Sequence, residues 1–66
     1  MSKVTIEMEW TDALYVKSIL SSARNKDLDL SKIWERDGDP VPEWLFQEID
    51  KLGRVIDIFE KEINRN

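Results

Sequence analysis

The carboxylates Glu35, Asp37 and Asp39 stand at alternate positions with Gly38 among them, a spacing that superficially suits a calcium loop. An EF-hand takes oxygen ligands from positions 1, 3 and 5, glycine at 6 and glutamate at 12. Counted from Glu35, position 6 is Pro40 and position 12 is Phe46, so the match fails. The chain has no histidine and no cysteine. Zinc would have to be held by carboxylates alone, which is an unusual ligand set. Ser18, Ser21, Ser22 and Ser31 have no plausible base beside them and read as helix-surface or capping residues. Paired carboxylates do acid–base work only in a desolvated cleft that shifts their pKa values, and a chain of 66 residues can hardly build one. No catalytic, metal or cofactor site is expected, and the chain reads as non-enzymatic.

The other candidate clusters serve binding. Lys17, Arg24, Lys26 and Lys32 could form a basic patch for nucleic acid, where lysine and arginine neutralise phosphates. The net charge of −4 opposes that reading, and a solvated face is the competing one. Glu35, Asp37, Asp39 and Glu43 form an acidic patch opposed only by Arg36. Dense carboxylates can occupy a basic groove on a partner protein, although they can also serve solubility alone. Trp10, Trp34 and Trp44, with Tyr15 and Phe46, could stack on bases. Packing is the commoner use of tryptophan at helix ends, because each buries a large area.

Helices must position these side chains. From Leu45 the apolar residues fall at Ile49, Leu52, Ile56, Phe59 and Ile63, in alternating steps of four and three. This lays one stripe along a long helix over 42–63. Pro42 and Glu43 suit its first turn. Asp50/Arg54 and Asp57/Lys61 suit its outer face as i,i+4 pairs, and Gly53 is its weak point. A second row, Trp44, Val55 and Ile58, lies beside the stripe. Thr11 reads as the N-cap of a first helix over 11–25, with Trp10 folding back as a staple. Ala13, Leu14, Val16, Ile19, Leu20 and Ala23 form its expected buried side. A short helix over 30–36 follows, capped by Asp29 or Ser31, and Gly38 and Pro40 end it. Residues 3–9 alternate, with Val4, Ile6 and Met8 on one side, and predict a short β-strand or an extended arm. The predicted fold is mainly all-α: one domain over 1–66, a hairpin of two main helices plus the short middle helix.

A lone core of this size is marginal, and no disulfide reinforces it. Tight packing or oligomerisation must supply the difference. The first expectation is therefore a small acidic interaction module, homo-oligomeric, that binds a larger protein stoichiometrically to inhibit or adapt it. Its expected interface is Trp44, Phe46, Val55 and Ile58. Size, acidity and the lack of catalytic side chains resemble small accessory proteins of phages or mobile elements, a resemblance carried by bulk properties and by no motif. Two other readings stand beside it: a nucleic-acid-associated regulator using the basic residues, and an oligomer that sequesters a small anion such as a nucleotide. No signal peptide, membrane span or lipidation motif is visible, so a cytoplasmic protein is expected.

Overall fold

The computed structural model describes residues 2–65. Two helices, α1 (Trp10–Arg36) and α2 (Glu43–Asn64), form an antiparallel hairpin. At 1.5 Å per residue they are about 40 and 33 Å long. The predicted all-α hairpin is therefore present, and the stripe on α2 is its packing face. Leu45 and Ile63 are buried at its two ends, and Ile49, Leu52, Ile56 and Phe59 are half-buried between them.

The expected break after Asn25 is absent. α1 is one helix, and the separate middle helix over 30–36 is its last part. The segment around 26–29 contains no glycine or proline to stop a helix. Among the α1 residues that are at least half-covered, Ala13, Val16, Leu20, Arg24, Asp27, Ser31 and Trp34 follow one another along the helix in unbroken steps of three and four. Arg24, Asp27 and Ser31 occupy places where an apolar residue would be looked for. Ser31 caps nothing: its hydroxyl donates to the Leu28 carbonyl oxygen at 2.8 Å, a local bond that lets it sit inside a helix. Leu14 and Ile19, expected on the buried side, are turned outward.

The helix start also differs from expectation. α1 begins at Trp10, with Glu9 as N-cap and no side-chain cap bond, so Thr11 is inside the first turn. Trp10 does not close a staple. Its indole Nε1–H donates across the hairpin to the Ile63 carbonyl oxygen at 3.3 Å, which ties the start of α1 to the end of α2. Residues 2–9 form neither helix nor strand, so the predicted β-strand is absent among the described residues.

The turn follows the expected chemistry. Gly38 has φ +80°, the left-handed conformation that glycine adopts without a Cβ penalty. The Gly38 N–H donates to the Glu35 carbonyl oxygen and the Asp39 N–H to that of Trp34, both at 3.1 Å. Those two bonds make a Schellman C-cap. Pro42 then sits just outside α2 as its N-cap. Asp50–Arg54 at 3.3 Å and Asp57–Lys61 at 3.2 Å form as predicted.

Gly53 lies where α1 comes close. A Cβ built there would be 3.3 Å from the Arg24 Nε, which is buried without a hydrogen-bond partner. Gly53→Ala removes a helix-propensity penalty of about 1 kcal/mol and requires Arg24 to move by a few tenths of an ångström. That side chain is long and has no bond at Nε to lose. The variant is expected to be more stable by about 0.5 kcal/mol, read as a higher urea midpoint. A lower midpoint would mean that the Arg24 position is fixed by its neighbours.

Candidate functional site

The Cα dimensions are 44 × 28 × 14 Å and the radius of gyration is 14.6 Å. A compact chain of this length would have a radius near 11 Å. The molecule is thus a single layer of two helices, with two broad faces that differ in chemistry. Three side-chain contacts fix which residues lie on which face. Lys17 Nζ stands 3.9 Å from Glu60 Oε1, and Arg24 covers Gly53. These mark a charged face, to which Asp50, Arg54 and Asp57 also contribute around a shallow cleft. On the opposite edge of the helix contact, Asp27 adjoins Glu48.

That second face carries the leftover row. At 100° per residue, Trp44, Val55 and Ile58 fall within about 60° of arc. Trp44 is 56% exposed and Ile58 is 60% exposed, while Val55 is half-buried. Phe46, expected with them, lies about 150° round α2 from that arc; it is 53% exposed on the charged side. The structure therefore brings together three of the four expected interface residues. On α1 the same face presents Ile19, which is 52% exposed. Sequence reasoning assigned Ile19 to the core because it is apolar and near Leu20.

The predicted charge clusters fare unequally. Glu35, Asp37, Asp39 and Glu43 are all exposed and gather at the turn end of the hairpin. The basic residues are scattered. Lys17 and Arg24 lie on the charged face, engaged with α2. Lys26 points about 160° away from Arg24 and about 180° away from Lys17, and Lys32 lies more than a turn further along. No single surface collects all four.

Asp27 and Glu48 were not singled out in the sequence. Asp27 lies on the contact line of α1, and its Oδ2 is buried without a hydrogen-bond partner. Glu48 is raised from its ordinary value, first by the hydrogen bond its protonated form shares with Asp27 and then by Asp27's charge. The signal that could have found the pair is the α1 contact spacing itself, read through its polar members.

A groove of about 630 Å³ separates the arm from the helices, lined by Val4, Ile6, Met8, Ala13, Ile58 and Phe59 among others. Its charged lining is Glu7, Glu62 and Arg65, a poor match for an anion. Among the described residues no group of three or more His, Cys, Asp or Glu is placed to hold a metal ion, and no helix is long and apolar enough to cross a membrane. No family model, curated protein or solved structure matches the chain.

Proposed function

We propose that this chain is a non-enzymatic interaction module that assembles with itself and binds a larger protein stoichiometrically. One observation carries the reading: the accessible surface of the single chain is 5710 Å². A compact folded chain of 7.8 kDa exposes about 4400 Å². The excess, about 1300 Å², exceeds the roughly 800 Å² that each partner hides in a standard protein interface. A domain needs two packed layers around its core, and this hairpin supplies one. In this reading a second copy supplies the further layer.

The acidic turn end, with Glu35, Asp37, Asp39 and Glu43, lies outside that layer and remains free to steer a basic surface of the larger protein. Such steering weakens as salt rises, because exposed charges are screened over about 10 Å at 0.1 M. The dispersal of Lys17, Arg24, Lys26 and Lys32 supports this reading over the nucleic-acid one, and the mixed charge of the groove beside the arm favours it over an anion site within one chain.

Analytical ultracentrifugation across a concentration series tests the self-association. A mass of at least two chains is expected by about 500 µM, which populates any dimer tighter than millimolar. A strictly monomeric species throughout would remove the basis for the reading.

A further inference from the structure

The apolar face has an internal order that goes beyond being apolar. Along α2, the residues pointing straight out of the layer on that side are Trp44, Glu48, Lys51, Val55 and Ile58. Their spacing is four, three, four, three. Along α1, the residues pointing out on the same side are Ile19, Ala23, Lys26, Leu30 and Ile33, again at four, three, four, three. Each set is a heptad seam, and the two seams are presented in parallel on one flat surface. On both helices the seam lies about 90° from the line that packs the hairpin together. The opposite face is charged instead; its middle is occupied by Lys17, Arg24, Asp57 and Glu60.

The charges inside the seams choose the occupant. A second copy laid face to face, with a two-fold axis crossing the helices between Glu48 and Lys51, runs antiparallel to the first. Each Glu48 then meets the second copy's Lys51, and each Trp44 meets its Val55. The internal contacts of the hairpin place Arg24 opposite Gly53 and Asp27 beside Glu48, so the same axis crosses α1 between Lys26 and Asp27. There the small Ala23 faces the larger Leu30, and Asp27, on the line that packs α1 against α2, stays inside the hairpin. One axis therefore satisfies charge along α2 and pairs small with large on both helices. A two-fold contact requires this self-complementarity. The area also fits, since the single chain exposes more than a standard interface needs to cover.

We propose that two copies pair antiparallel through this face, as a four-helix bundle whose register is set by Glu48 against Lys51. The inference rests on the self-association reading above and adds the face, the orientation and the register.

Charge reversal in the full-length chain tests it. Glu48→Lys alone sets two lysines against each other, and Lys51→Glu alone sets two glutamates. Each single variant is expected to weaken the dimer at least tenfold by sedimentation equilibrium at low salt. Glu48→Lys also removes the like charge beside Asp27 within one chain, so an effect on the hairpin alone would act in the opposite direction. The Glu48→Lys/Lys51→Glu double variant restores the wild-type constant to within about threefold. The two single variants, mixed, form a heterodimer tighter than either homodimer. Ile58→Glu, at a position 60% exposed in the single chain, abolishes pairing while far-UV circular dichroism stays helical. If wild type dimerises but the singles pair as tightly as wild type, or the mixture shows no preference, the face and register are wrong and the self-association reading survives. If wild type is monomeric throughout, both fall.

Discussion

Leu45→Ala is expected to lower stability by about 3 kcal/mol, within the range for removing a buried leucine side chain. Leu45 is the one described residue with no exposed surface. It sits in the first turn of α2 behind the Pro42 cap, where the turn delivers α2 back onto α1. Its loss leaves a void between elements that have little else to collapse with. Apart from Leu45, the only buried apolar residue described is Ile63, at the other end of the helix and 8% exposed. A chain of this length has roughly 3–10 kcal/mol of stability in total, so the substitution removes a large part of it. At 4–8 °C per kcal/mol for a small domain, the midpoint should fall by about 15 °C. Leu45→Met, which keeps the volume, should change stability by less than about 1.5 kcal/mol. Thermal melts of both variants at one fixed concentration check this. A small change in Leu45→Ala would mean that the half-buried residues between the two ends carry the hairpin instead.

How much of this was legible in the sequence depends on which residues carry the pattern. The α2 stripe was fully readable because every member, from Leu45 to Ile63, is apolar. The Gly38 cap and the two i,i+4 ion pairs were readable because their chemistry is local. The continuity of α1 was not, because Arg24, Asp27 and Ser31 hold contact positions and break the apolar signal without breaking the helix. Phe46 was grouped with Trp44 because both are aromatic and close in sequence, although two residues along a helix means about 160° of rotation. The outer seam was half seen. Trp44, Val55 and Ile58 stood out, while Glu48 and Lys51, which complete the spacing, read as ordinary solvated charge.

Asp27→Leu is expected to stabilise the hairpin by about 2 kcal/mol, an unusual direction for a substitution at a helix contact. The wild-type residue places a carboxylate on the line that packs α1 against α2, with Oδ2 buried and unbonded. An unsatisfied buried oxygen costs about 1–3 kcal/mol, which its removal returns. A leucine at the same place adds apolar area to a line already carried by Leu20 and Trp34, and burying such a side chain contributes about 1.5–3 kcal/mol when complete. Asp27 is only half-covered, so the sum is taken near the low end. The pH dependence identifies the cause. Glu48 is raised in the folded chain by its hydrogen bond with Asp27 and by Asp27's charge, so folding favours its protonated form. That contribution is fully present below the ordinary carboxylate pKa and is lost as pH rises through the raised folded value. Wild type should therefore lose stability through Glu48 as pH rises from the ordinary carboxylate pKa through the raised folded value, and Asp27→Leu should not. The gap between the two proteins is widest above the raised value and narrows as pH falls to the ordinary one, measured as urea midpoints at one dilute concentration so that pairing of chains contributes equally. A gap that stays constant with pH would assign the gain to apolar burial alone. A less stable variant would mean that Asp27 makes a favourable contact in solution.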